Sequence, residues 1–306
     1  MKIAISGATG FVGSRLVKRL QTEGNRILVL TRNTNFAQKV FPSSTFPNVE
    51  IISYTPRVSG AWQDAIAGCD GVVNLAGEPI AEERWTPERK QELLNSRKLG
   101  TQKIVEAIAQ VNPRPTVLVN ASAIGYYGTS ETATFDENSP AGQDFLSQIC
   151  QEWEREARKV KDAGVRLVIL RFGIVLGHGG ALGKMITPFK LFAGGPIGSG
   201  QQWFSWIHLD DIVSLIIQAL TQSTMDGVYN ATAPHPVRMN ELSTTMGEVM
   251  NRPSWLPVPG FALEAMLGDG AKVVLEGQQV LPQRTVDSGF QYEYPNLQSA
   301  LTQILK

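Results

Sequence analysis

The run Lys2-Ile3-Ala4-Ile5-Ser6-Gly7-Ala8-Thr9-Gly10-Phe11-Val12-Gly13 opens the chain and constrains everything that follows. A short apolar segment breaks at Gly7 and passes into the helical spacing Phe11, Val12, Leu16, Val17, Leu20. That is a strand, a glycine turn and a helix. Gly7 lets the chain turn, Gly10 lets backbone approach a pyrophosphate, and Gly13 lets the helix sit close on the strand. An anion there meets free N–H groups and the positive end of the helix dipole. The spacing Gly-x-x-Gly-x-x-Gly is one residue longer than the commonest dinucleotide fingerprint. Its place between a strand and a helix favours dinucleotide binding over a merely structural turn.

Composition narrows the partners. The 28 basic and 28 acidic residues balance, so neither nucleic acid nor an anionic membrane is expected as a general partner. The longest apolar stretches, such as 212–220, are too short and interrupted to span a bilayer, so no integral membrane segment is expected. A first strand starting at Lys2 is read as leaving no room for a leader. Cys69 and Cys150 have neither metal-ligand spacing nor a disulfide framework, and His178, His208 and His235 lie far apart. A cytoplasmic protein without a metal is the expectation, and no protein partner is readable.

After the first helix, 26–32 reads as a second parallel strand ending at Arg32. A carboxylate there would accept from the 2′-hydroxyl of NAD, whereas Arg32 offers a planar cation to the 2′-phosphate of NADP. Such charge-assisted bonds contribute on the order of 1.5–3 kcal/mol each, about tenfold or more in cofactor preference. The alternative is a solvated arginine. Thr31, Asn33 and Thr34 add donors with no acid in the immediate sequence to repel the phosphate.

Residues 34–48 read as a loop, 49–52 as a third strand and 62–67 as a crossover helix. The segment 70–77 is a strand ending in a small-residue turn, which sets Leu75, Ala76 and Gly77 against a ligand at the carboxyl edge. A long helix over 87–111, a strand over 116–120 leading to Ser122, a helix over about 144–162 and a strand over 165–171 follow. Strands alternating with helices make an α/β doubly wound parallel sheet of Rossmann type.

At this point a family pattern is visible. It is carried by Gly194-Gly195-Pro196-Ile197-Gly198-Ser199-Gly200-Gln201-Gln202, Ser205-Trp206-Ile207-His208-Leu209-Asp210-Asp211, Tyr229-Asn230-Ala231-Thr232-Ala233-Pro234 and the tail Gly277-Gln278-Gln279-Val280-Leu281-Pro282 with Gly289-Phe290. The chain resembles the extended short-chain dehydrogenase/reductase superfamily of nucleotide-sugar epimerase type, and more narrowly the atypical, YfcH-like epimerase family 39. The resemblance implies an NADP(H)-binding Rossmann domain with a smaller α+β C-terminal domain closing over it. It implies a cofactor set of Gly7, Thr9, Gly10, Phe11, Val12, Gly13, Thr31, Arg32, Leu75, Ala76, Gly77, Ala121, Ser122, Arg171, Phe172 and Gly173. Plant-plastid and cyanobacterial members are linked with division, an association only.

The superfamily's acid/base pair, Tyr-x-x-x-Lys, is missing. Four residues after the six tyrosines stand Val58, Ser130, Glu131, Ala233, Asn296 and Gln298. Alignment sets Leu146 and Cys150 at the pair's positions, Arg97 where an asparagine often supports the helix, and Ala123 at the usual serine. Ser122, Tyr126, Tyr127 and Lys184 are possible substitutes. The plainer reading has Tyr127 packed, Ser122 binding cofactor or ligand, Lys184 solvated and Cys150 in the core. His208 tempts as a base, yet 206–208 followed by Asp210-Asp211 reads as a strand entering a helix whose first N–H groups the aspartates satisfy.

The domain division expected is 1–175 plus about 207–224 for the nucleotide part, with 176–206 and 225–306 forming the smaller domain. Short helices are expected over 240–250 and 260–267, and the tail aromatics Phe290, Tyr292 and Tyr294 are expected between the domains. A small-molecule ligand belongs in the interdomain cleft. Two functions fit: an NADP-dependent oxidoreductase or epimerase using Ser122, Tyr126 or Lys184, and a non-catalytic NADP-binding regulatory protein.

Overall fold

The computed structural model describes residues 1–306. The first half runs β1 (Lys2–Ser6), α1 (Phe11–Thr22), β2 (Arg26–Thr31), α2 (Thr34–Val40), β3 (Val49–Ser53), β4 (Gly71–Asn74), α3 (Pro87–Gln110), β5 (Val117–Ala123), β6 (Thr134–Phe135), α4 (Phe145–Arg158) and β7 (Arg166–Phe172). Then come β8 (Ile174–Leu176), α5 (Gly180–Lys190), β9 (Trp203–Phe204), β10 (Trp206–His208), α6 (Leu209–Thr221), β11 (Gly227–Ala231), β12 (Val237–Arg238) and α7 (Met239–Met250). The chain finishes with α8 (Gly260–Leu267), α9 (Lys272–Leu275), β13 (Gln279–Val280), α10 (Gln283–Asp287) and α11 (Leu297–Leu305).

Seven strands form one parallel sheet in the order β11-β7-β5-β4-β1-β2-β3. Alternation along β1 explains its two faces: Ile3 and Ile5 point toward Leu16, Val17 and Leu20 of α1 and Ile212 and Ile216 of α6. Ala4 joins Leu28, Val72 and Leu118 against Ile104 and Ile108 of α3 and Ala157 of α4. Strands buried on both sides must be apolar almost throughout, which is why they are legible as runs rather than as alternating patterns. Local signals start the long helices. Thr86 accepts from the Arg89 N–H with Pro87 at the first helical position, and Asp144 accepts from the Ser147 N–H at 2.8 Å.

Three expectations need correction. Residues 34–40 form α2 rather than loop, because the Asn33 side chain accepts from the Phe36 N–H and caps the turn. The crossover at 61–66 is a 3-10 turn, not an α-helix. Most consequential, 225–306 is not confined to the smaller domain. β11 returns to the sheet's edge beside β7, and Phe290 is buried with the main core. The smaller core is built by α5, α7 and α11 with Trp206, around Leu182, Phe189, Leu242, Met246 and Leu301.

Candidate functional site

The turn after β1 has the shape of an anion cradle. Gly7 takes φ +71°, and a Cβ there would stand 2.8 Å from the Leu75 carbonyl carbon. Gly10 caps α1 without a side chain and no acid lies in the first turn, so the leading N–H groups are open to a ligand. At Gly13 a Cβ would fall on the Gly7 carbonyl oxygen and 2.7 Å from the Ala8 Cα. Helix and turn touch through hydrogen. The cradle fits a pyrophosphate, and Thr9, Phe11 and Val12 are part-exposed around it. The Phe11 ring also supports the entrance to the smaller domain, since a Cβ at Gly177 or Gly179 would meet it at 2.8 Å and 3.1 Å.

Arg32 lies one residue beyond β2, with its side chain 68 % exposed. The absence of a nearby acid holds in sequence but fails in space. Glu78 reaches across from the loop after β4, and its Oε1 accepts from Arg32 Nη1 at 2.8 Å. Thr31 is buried and exchanges hydrogen bonds with the Asn33 backbone, while Asn33 is spent on capping α2. Arg32, mostly in solvent and held only by Glu78, is therefore the donor at this end that becomes available when that pair opens.

Below the central strands lies a polar floor that sequence reasoning missed. Ser6 Oγ donates to Asn74 Oδ1 at 2.6 Å, and Asn74 Nδ2 donates to Asn120 Oδ1 at 2.7 Å and Thr101 Oγ1 at 2.9 Å. All four are buried, and they tie β1, β4, β5 and α3 together beneath the carboxyl edge. The signal was present in the two apolar runs, 71–73 and 117–119, that each lead into an asparagine. Above this floor are the part-exposed Leu75 and Ala76 and the exposed Gly77. A Cβ at Gly77 would stand 3.0 Å from the Arg97 guanidinium carbon. Arg97 donates to the Leu93 and Glu78 carbonyls and stacks over Trp153, with no carboxylate partner. Burial lowers its pKa to about 10.

The expected catalytic group divides. Ser122 is buried and donates to Glu154 Oε1 at 2.8 Å. Arg171, expected at the cofactor, is instead consumed: it donates through Nε and Nη2 to Glu154 and through Nη1 to the Tyr127 hydroxyl at 2.9 Å. Tyr127 donates its hydroxyl hydrogen bond to Asn230 Oδ1 at 2.7 Å, and burial pushes its pKa up to about 12. Buried Ala121 is a sheet residue, and Gly173 packs where a Cβ would meet the Ser205 carbonyl oxygen at 2.7 Å, with part-exposed Phe172 before it. Tyr126 lies flat on Arg171, ring centre 3.3 Å from the guanidinium carbon, half-buried and with its hydroxyl unbonded within the chain. Lys184 is exposed on α5 and pairs with no acid. Leu146 and Cys150 do occupy the α4 face toward this turn, against Gly125, and burial pushes Cys150 up to about 12.

His208 is a cap rather than a base. Its Nδ1 accepts from the Asp210 N–H at 3.1 Å, its Nε2 meets Gln303 Oε1 at 3.0 Å, and burial lowers its pKa. The aspartates do not cap α6, contrary to expectation. Asp210 pairs with Arg15, and Asp211 accepts from the backbone N–H groups of Glu293 and Tyr294. Cys69 and Cys150 are free and buried. No group of three His, Cys, Asp or Glu side chains is placed to hold a metal, and no helix is long and apolar enough to cross a membrane.

Residues 3–232 match the NAD dependent epimerase/dehydratase family, and 258–304 match a domain of unknown function, DUF1731. The chain is 51 % identical over 309 residues to the Arabidopsis thaliana "Epimerase family protein SDR39U1 homolog, chloroplastic", covering 100 % of this chain and 87 % of that one. It is 38 % identical to the epimerase family protein YfhF of Bacillus subtilis, over 100 % and 98 % of the two chains. Among solved structures it is similar to human epimerase family protein SDR39U1 (isoform 2) with NADPH, at TM-score 0.88 and 36 % identity over 100 % and 99 % of the chains. The UDP-glucuronic acid 4-epimerase of Bacillus cereus in complex with NAD shares the fold at TM-score 0.79 and 17 % identity, over 100 % of this chain and 96 % of that one.

Proposed function

The chain belongs to the NAD-dependent epimerase/dehydratase family, and from that premise we propose that it binds NADPH along the carboxyl edge of its central sheet and acts as an oxidoreductase on a small molecule. The observation that carries the reading is the pairing of an open glycine cradle at α1 with a guanidinium, Arg32, at the end of the adjacent strand. The human relative's structure with NADPH supports it. When bound, the nicotinamide supplies or accepts hydride. The chain's own residues bind and orient: the α1 N-terminus holds the pyrophosphate, Arg32 the 2′-phosphate, and Leu75, Ala76 and Gly77 line the adenosine side above Arg97. The small molecule lies in the cleft between the two parts, in a cytoplasmic protein. Tyr126 is the proton donor, because among Ser122, Tyr126 and Tyr127 it alone keeps an unbonded hydroxyl.

A second reading has its own observation. Ser122 and Tyr127 are locked in a buried network, and Leu146 and Cys150 stand where the family's acid/base pair belongs. That favours a non-catalytic NADP-binding regulatory or scaffold protein, with a division-linked role as its biological form. Calorimetry with NADPH and NADH on the purified protein tests the shared premise. Tighter NADPH binding, lost in Arg32→Glu, supports it; NADH binding at least as tightly overturns it. Turnover of NADPH with a panel of carbonyl compounds separates the readings. Turnover that disappears in Tyr126→Phe while cofactor affinity persists excludes the binding-only form, and turnover that survives excludes Tyr126 as the donor.

A further inference from the structure

Arg32 and Glu78 come from strands that do not touch. β2 and β4 lie on opposite sides of β1, with Leu30 and Asn74 both level with Ser6. The glycine turn leaves β1 between them. Yet the two side chains meet at 2.8 Å, so their ion pair crosses above the turn over which the adenosine half of a dinucleotide must lie.

Glu78 is held in this pose from behind. Its N–H donates to Ser96 Oγ at 3.3 Å, and its carbonyl accepts from Arg97 Nη2 at 3.0 Å, both from α3. Its second carboxylate oxygen faces Arg89 Nη1 at 3.8 Å. Arg89 is itself fixed by a bond to the Pro79 carbonyl at 2.7 Å, and its Nε faces Glu83 Oε2 at 3.4 Å. Glu78 is only 19 % exposed, whereas Arg32 is mostly in solvent. The anchored member of the pair is the acid.

Resting on the NADP reading above, we infer that the Arg32–Glu78 pair is a displaceable strap across the adenosine trough, and that Glu78 restrains the entry of either coenzyme. Any dinucleotide entering the trough breaks the pair. A 2′-phosphate replaces the carboxylate on Arg32, and Arg89 keeps Glu78 from being left without a cation. A 2′-hydroxyl gives Arg32 no anion in exchange. The strap thus lowers the affinity for both coenzymes by a common factor, and the preference between them comes from the contact that Arg32 makes with the 2′-phosphate in the complex.

The test is a double-mutant cycle read by calorimetry with NADPH and NADH on wild type, Glu78→Gln, Arg32→Met and the double variant. An exposed pair of this kind contributes up to about fivefold in affinity. Glu78→Gln should therefore bind NADH up to about fivefold more tightly than wild type, and NADPH more tightly as well. Arg32→Met should weaken NADPH yet tighten NADH, and adding Glu78→Gln to it should give NADH no further gain. If Glu78→Gln does not fold, Arg32→Met opens the strap from the other side and the NADH gain is read there. Weaker or unchanged NADH binding in both single variants overturns the strap while leaving the cofactor reading intact. A folded wild type that binds neither coenzyme overturns both.

Discussion

Glu154 of α4 sets both carboxylate oxygens on the Arg171 guanidinium of β7, Oε1 2.8 Å from Nε and Oε2 2.9 Å from Nη2, with both side chains buried. The same Oε1 accepts from Ser122, and Oε2 accepts from Arg158 at 2.8 Å. One carboxylate thus joins the helix at the family's vacated acid/base positions to the strand pair beneath it.

Removing one member of that pair leaves the other buried and unpaired, which costs about 3–5 kcal/mol. Glu154→Ala should lower the stability measured by urea denaturation by that amount. Replacing both, as Glu154→Leu with Arg171→Met, should recover much of it. A loss below about 1 kcal/mol in the single variant would show that the pair is not a buried ion pair in solution.

Gly13→Ala tests the contact between α1 and the turn. The new methyl falls on the Gly7 carbonyl, so helix and turn must separate, at about 1–3 kcal/mol. Lower thermal stability and loss of NADPH binding should appear together. A variant that melts and binds like wild type refutes the close contact.

Arg97→Met should divide stability from binding. The buried guanidinium has no carboxylate partner, so an apolar replacement of similar length should change folding stability by less than about 1 kcal/mol. NADPH affinity, read by calorimetry, should fall about tenfold with the loss of a cation beneath Gly77. Large destabilisation with unchanged affinity would make Arg97 a structural residue alone.

Burial raises the Asp211 pKa to about 6, above its value in the unfolded chain. The folded state therefore binds the proton more tightly, and this carboxyl adds stability as pH falls from 7 through about 6 toward its unfolded value near 4. His208 opposes it, because a lowered folded pKa means stability is lost as the ring is forced to charge on acidification. Denaturation midpoints across this range should rise more steeply toward acid in wild type than in Asp211→Asn. Equal slopes would remove Asp211 as the source.

The sheet was legible because its strands are buried on both faces and read as apolar runs, and the glycine cradle because three small residues punctuate a strand-to-helix change. α2 was hidden by prolines and serines downstream of its Asn33 cap. β11 was hidden by distance: Val228 and Tyr229 look like any short apolar segment until β7 is there to pair with them. Charges fared worst. Arg171 sits at a carboxyl edge where ligands lie, but Glu154, 17 residues earlier, claims it, and Glu78, 46 residues after Arg32, closes on that side chain. Spacing along the chain carries no trace of either meeting.

The return of Gly227–Ala231 to the sheet, followed by Phe290 rejoining the main core, means that the polypeptide weaves between the two lobes instead of finishing one before starting the next. No single cut releases either lobe whole. A fragment stopped at residue 224 would present β7 as a raw edge, open to pairing with foreign strands. The lobes should consequently melt together, and movement in one will be felt in the other through shared strands rather than through a flexible joint.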